Sequence, residues 1–154
     1  MVVPGPETVN STGHGEGWVV LALGSNLGDR ERHLATAREH LAAAGFAWTR
    51  RSRVHETRPV GGPPGQGPFL NQVLAAPAET VHMSPQELLR RALAIEALAG
   101  RVRRERWGPR TLDIDILLWG DLIVDLPALH IPHPRMTERA FVLGPLAEIL
   151  PDVV

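Results

Sequence analysis

The 154-residue sequence contains no cysteine, which excludes disulfide staples, thiolate metal sites and thiol nucleophiles. It contains no lysine either: all 16 basic residues are arginine. A Schiff base, a Walker-type phosphate lysine and the strand lysine of protein kinases are therefore ruled out. Tyrosine is absent, and aromatic residues make up only 5% of the chain. The formal net charge of -1 gives no bulk attraction for nucleic acid or an anionic membrane, so any anion recognition has to come from local clustering. No apolar run approaches the roughly 18 to 20 residues of a membrane-spanning helix, and no segment repeats with the period of about 20 to 50 residues that marks a solenoid. What remains is a chain whose 44% apolar content can bury one sizeable core. The expectation is a single soluble, cytoplasmic domain over 18–154, preceded by a disordered extension over 1–17 that is rich in Gly, Pro, Ser and Thr.

Trp18 to Leu23 is a short apolar run ended by Gly24, as in a buried central strand. After the turn GSNLGD, Leu34, Ala37, Leu41 and Ala44 recur at helical spacing from Arg30 onward, and Gly45 sits where a C-terminal cap belongs. Ala47 to Thr57 has strand composition, the Pro- and Gly-rich 58–68 segment is a loop, and Phe69 to Ala76 is a second strand. Ser84-Pro85-Gln86-Glu87 predicts a capped helix that carries Leu88, Leu89, Ala92, Ile95 and Ala99 on one face and stops at Gly100. In the next strand Leu112, Ile114, Ile116 and Leu118 alternate with Asp113, Asp115, Leu117 and Trp119. Asp121 to Asp125 is expected to return as its hairpin partner, and Glu138 to Leu150 to form a last helix. The order predicts an α+β fold of the ferredoxin-like βαββαβ type, with helices on one sheet face, an extra C-terminal helix and the other face free for a site.

The chemistry concentrates around residue 113. Alternation along a strand sends Asp113 and Asp115 to one face, with their Cα atoms roughly 6.6 Å apart. Two such carboxylates repel unless a cation lies between them, and hard oxygen ligands on a rigid strand suit Mg²⁺. The plain alternative is a solvated strand face that carries two acids. Immediately upstream, Arg101 to Arg110 holds five of the 16 arginines, with only Glu105 to offset them. Guanidinium forks grip phosphate oxygens in pairs, so this segment next to paired acids points to a polyphosphate. Trp107 either stacks on a heterocycle or packs its loop onto the body, and spacing alone leaves both readings open. His133 and Arg139 stand downstream, where they could donate to a phosphate chain. His14, His33, His40, His55, His82 and His130 read as structural. GSNLGDR matches neither G-x-G-x-x-G nor a lysine-bearing phosphate loop, and reads as a tight connection with Asn26 and Asp29 as turn and capping residues.

From Arg106 to Leu117 the sequence RWGPRTLDIDIL resembles the signature of the 6-hydroxymethyl-7,8-dihydropterin pyrophosphokinase family. ALGSNLGDR (22–30), ETRPVGG (56–62), FLNQV (69–73), IEALAGRVR (95–103) and IPHPRMTERAFVLGPLAEI (131–149) agree in order. The resemblance implies an enzyme that transfers diphosphate from MgATP to a pterin hydroxymethyl group. Asp113 and Asp115 would hold two Mg²⁺ ions, and these two residues with Arg101 and Arg110 would be the catalytic set. Glu96, Arg101, Arg110, Ile116, His133 and Arg139 would face ATP. Thr57, Val60, Phe69, Asn71, Trp107 and Phe141 would form the pterin slot, with Phe69 and Phe141 stacking on the ring. Leu93 departs from the family pattern, where Gln is common. The implied partners are ATP and the pterin alone, without nucleic acid or membrane, on a monomer. A nucleotidyl-transfer palm and an RNA-binding module are the rival readings; low aromatic content and net negative charge argue against the second.

Overall fold

The computed structural model describes residues 17–58, 64–100, 111–134, 136 and 140–150. The elements run β1 (Trp18–Ser25), α1 (Arg30–Ala43), β2 (Arg50–Arg51), β3 (His55–Thr57), β4 (Phe69–Pro77), α2 (Pro85–Leu98), β5 (Asp113–Trp119), β6 (Val124–Leu126), β7 (Leu129–Ile131) and α3 (Ala140–Ile149). The main sheet has the order β2-β4-β1-β5, with β3 also pairing β4, and every pairing is antiparallel. The molecule is thus a mixed structure of an antiparallel sheet and, among the described residues, three helices.

β1 is the central strand, and its sequence explains why. Val19, Val20, Leu21 and Leu23 are all buried, so both faces of the strand are apolar. Val19, Leu21 and Leu23 join Leu74, Ala76, Ile114 and Ile116 under α1 and α2, which contribute Leu34, Ala37, Leu41, Leu88, Ala92 and Ile95. Val20, Val73, Ala75 and Leu117 form a smaller cluster on the opposite face with Val142, Leu146 and Leu150. That opposite face was expected to be free. α3 covers part of it, because its apolar residues at spacing of four meet the second set of strand side chains.

Local signals account for the element ends. Asp29 caps α1 by accepting from the Arg32 N–H at 3.2 Å, and Ser84 caps α2 by accepting from the Glu87 N–H at 3.1 Å. Glu87 pairs with Arg90 and with Arg91, whose Nε lies at 2.9 Å, and Arg91 also donates to the Ala44 carbonyl, tying α2 to the end of α1. Gly45 has φ +104, a left-handed turn that glycine adopts without a Cβ penalty.

The strands depart from expectation in four places. β1 runs through Gly24 to Ser25, so the glycine does not end it. The single strand expected over 47–57 is split, because Ser52 interrupts it: its N–H donates to the Val73 carbonyl, while its hydroxyl takes the Val73 N–H at 2.9 Å and donates to the Arg53 carbonyl. In β5 the register steps from Leu21↔Ile116 to Val20↔Leu118. This bulge at Leu117 puts Trp119, and not Leu118, beside Ile114 and Ile116 in the larger core. Finally, the segment after β5 does not pair back onto it; β6 pairs with β7 in a separate two-stranded sheet.

Leu146 has no solvent exposure and is central to the smaller cluster. Leu146→Ala is expected to cost about 2–5 kcal/mol, read as a lowered urea midpoint. An unchanged midpoint would show that α3 contributes little to the fold.

Candidate active site

Antiparallel partners share a face, and the register of four strands lays a row of site residues on one face. Asp113 of β5 pairs with Gly24 of β1, Gly24 with Asn71 of β4, and Asn71 with His55 of β3. Two residues along, Asp115 pairs with Ala22 and Ala22 with Val73, while Thr57 pairs with Phe69. Val73 packs beneath α3, so this is the face of the third helix, away from α1 and α2.

The row has a gap built into it. Gly24 carries no side chain, and a Cβ placed there would lie 3.5 Å from Asn71 Oδ1 and 3.6 Å from a Phe69 ring carbon. The floor between Asp113 and Asn71 is therefore bare backbone, bordered on one side by an amide and an aromatic ring. Asn71 is buried and donates through Nδ2 to Thr57 Oγ1 at 2.6 Å, which orients Oδ1 toward Gly24. From the sequence, Gly24 reads only as the end of the first strand, which misses this role of the glycine; the available signal is the Gly-Ser-Asn that follows an apolar run.

Asp113 and Asp115 are half-buried, at one end of the row. Among the described residues no group of three or more His, Asp or Glu side chains can hold a metal ion. Two carboxylates over a floor of Ala22 and Gly24 do fit Mg²⁺, which commonly takes one or two protein carboxylates and fills its octahedron with water and phosphate oxygens.

Glu96 of α2 is 4% exposed, and its Oε2 accepts the Ile114 N–H at 2.8 Å. Ladder hydrogen bonds alternate direction along an antiparallel strand, so the backbone of Ile116 turns to the same outer edge of β5 as that of Ile114. The Ile116 side chain lies in the core, and a ligand could meet only its backbone. His133 is held beside the same strand, its N–H donating to the Leu117 carbonyl at 2.9 Å. Leu93, one turn before Glu96, is 43% exposed.

The GSNLGDR turn does more than connect. Asn26 Nδ2 donates to Gln66 Oε1 at 3.2 Å and to the Gly67 carbonyl at 3.3 Å. Arg30 donates to the Pro68 carbonyl at 2.8 Å and pairs with Glu56 at 3.2 Å. Together they tie the 64–68 stretch to the end of β1, next to the gap. Thr57, Phe69 and Asn71 thus share the row with Asp113 and Asp115, while Glu96, Ile116 and His133 stand along β5. Val60, Arg101, Trp107, Arg110 and Arg139 lie outside the described residues, as does the side chain of Phe141.

Replacing Glu96 with Ala would leave the Ile114 N–H without its buried acceptor, at a cost of about 1–3 kcal/mol. Urea unfolding of Glu96→Ala beside Glu96→Gln, which keeps an acceptor oxygen, measures it. Equal stability of Glu96→Ala and the parent would contradict the role of this bond.

Comparison with known proteins bears on the chain as a whole. Residues 20–151 match the family model of 7,8-dihydro-6-hydroxymethylpterin-pyrophosphokinase. The 2-amino-4-hydroxy-6-hydroxymethyldihydropteridine pyrophosphokinase of Methylorubrum extorquens is 48% identical over 135 residues, covering 87% of this chain and 83% of its own length. The enzyme of the same name from Bacillus subtilis is 47% identical over 135 residues, 86% of this chain and 78% of its own. The mitochondrial folate synthesis bifunctional protein of Arabidopsis thaliana is 41% identical over 146 residues, which cover 95% of this chain and 25% of the plant protein. A match over this span, at this identity, means that the chain belongs to the 7,8-dihydro-6-hydroxymethylpterin-pyrophosphokinase family.

Proposed function

We propose that this chain transfers the β,γ-diphosphate of MgATP to the hydroxymethyl oxygen of 6-hydroxymethyl-7,8-dihydropterin, releasing AMP, as a step of folate biosynthesis. The observation that carries this reading is the row Asp113–Gly24–Asn71, which sets a carboxylate pair beside a flat, bare floor bordered by an amide and a ring. The acid end suits a metal-bound polyphosphate and the floor suits a planar heterocycle. The pterin hydroxyl attacks the β-phosphorus, the bond from that phosphorus to the α,β-bridging oxygen breaks, and the hydroxyl proton is lost to solvent.

Asp113 and Asp115 would hold two Mg²⁺ ions, which when bound offset the charge of the phosphates. Asn71 hydrogen-bonds the pterin edge, Phe69 and Phe141 stack on its ring, and Thr57 holds the Asn71 amide. Val60 and Trp107 complete the slot. Glu96 fastens β5 at Ile114, so that the outward backbone of Ile116 meets the adenine edge. Arg101, Arg110, His133 and Arg139 grip the phosphates; with lysine absent, guanidinium is the chain's only permanently charged side-chain cation. The strand order β5-β1-β4-β2, all antiparallel, supports the ferredoxin-like fold for one domain spanning 18–154. A cytoplasmic monomer is part of the same proposal; among the described residues no helix is long and apolar enough to cross a membrane.

Incubation with MgATP and the reduced pterin alcohol tests the reaction. AMP and pterin diphosphate are the expected products, whereas pyrophosphate release would mark a nucleotidyl transfer. Asp113→Asn and Asp115→Asn should each lower turnover by about a hundredfold or more, since a metal ligand contributes several kcal/mol to the transition state. Near-normal rates in both would remove the metal assignment. Gly24→Val should raise the KM for the pterin with little effect on that for ATP, because the added methyls fill the floor on one substrate's side only. Equal effects on both substrates would place the pterin elsewhere.

A further inference from the structure

We propose that Glu148 is a positioning residue for the pterin slot: its carboxylate fastens the C-terminal end of α3 to the β2–β3 segment, and so sets how α3, whose first turn carries Phe141 in sequence, lies against the face of the Gly24 row. This rests on the pyrophosphokinase reading above.

Three groups converge on the one carboxylate. The Arg53 backbone N–H donates to it at 3.2 Å, Arg53 Nε at 2.7 Å, and His55 Nε2 stands 3.1 Å away. His55 is itself in the row, paired with Asn71. Beside this clamp, Arg50 donates to the Ile149 carbonyl at 2.7 Å and lies over the Trp18 ring at 4.2 Å. The C-terminal end of α3 is thereby held at β2 and β3. At the opposite edge of the sheet the His133 N–H holds the Leu117 carbonyl of β5. Val142, in the first turn of α3, packs with Val20, Val73, Ala75 and Leu117 on the face that carries the Gly24 row.

The far end of the helix depends on this anchor for a second reason. Pro145 lies inside α3 and has no N–H to give the carbonyl of Phe141, so the first turn lacks one rung of its ladder. Phe141 and Glu148 are seven residues apart, about two turns and roughly 10.5 Å along one stripe of the helix. A change of tilt at Glu148, pivoting on the packed Leu146, is carried along that stripe to Phe141. Exposed ion pairs contribute little to global stability. The consequence of losing this one lies in placement and appears in ligand affinity.

Calorimetric titration of the full-length chain with the reduced pterin alcohol and, separately, with MgATP tests the proposal. Glu148→Ala is expected to weaken pterin binding by about tenfold, the scale of one charge-assisted contact, while ATP affinity stays within about twofold. Turnover at saturating pterin should be largely retained, and Glu148→Gln, which keeps a neutral acceptor, should fall between. Equal losses for both ligands, or none for either, would overturn the inference. If Glu148→Ala does not fold, Arg53→Ala gives the same test, because it removes the Nε donor and leaves the backbone contact. Pterin binding unchanged in that variant counts against the proposal, and a selective loss supports it. A parent protein that binds no pterin overturns both the inference and the reading beneath it, whereas normal binding by parent and variant alike overturns the inference alone.

Discussion

The site depends on one constraint, the register of β1 against its two neighbours. Gly24 pairs with Asn71 on one side and Asp113 on the other, and the side-chain period of a strand is two residues. A slip of β5 by one residue would send Asp113 and Asp115 into the apolar core and turn Ile114 and Ile116 outward. Burying two carboxylates without partners is far costlier than any loss of ladder bonds, so the apolar set itself enforces the register of the aspartates. The same residues that build the core therefore decide which face carries the two aspartates.

Glu96 completes that arrangement at the edge. Among the described residues β5 is the last strand of the main sheet, and its outward N–H groups have no strand neighbour there to receive them. A buried carboxylate accepts one of them, at Ile114, between the two aspartates. That bond anchors the strand between the two aspartates.

Much of this was legible in the sequence, and the reasons differ from residue to residue. The Asp113–Asp115 pair was readable because alternation is a local property of the strand. The cap at Ser84 was readable because the residues that make it are within one turn. The family signature added residue types whose roles depend on contacts far apart in the chain. The bulge at Leu117 was not readable: LLW is apolar throughout, and only pairing with β1 decides which of Leu118 and Trp119 enters the larger core. Nor was the side of the sheet taken by α3, since Val142, Leu146 and Leu150 form an apolar stripe that would fit either face. The break at Ser52 arises from its hydroxyl bonding Val73, a residue 21 positions away.

Glu148 illustrates how distant contacts serve a local site. The Arg53 guanidinium, and then the His55 ring, hold its carboxyl below the usual carboxylate range by hydrogen bonding. Because the folded value lies below the unfolded one, the contribution is present above the unfolded pKa and fades as pH falls through the folded value. Over the neutral range the Glu148 carboxylate is therefore charged. A hydrophobic contact in its place would hold the helix against the sheet but would let it slide, because burial is non-directional. A carboxylate accepting from a backbone N–H and a guanidinium fixes position as well as proximity, and the first turn of the same helix inherits that placement.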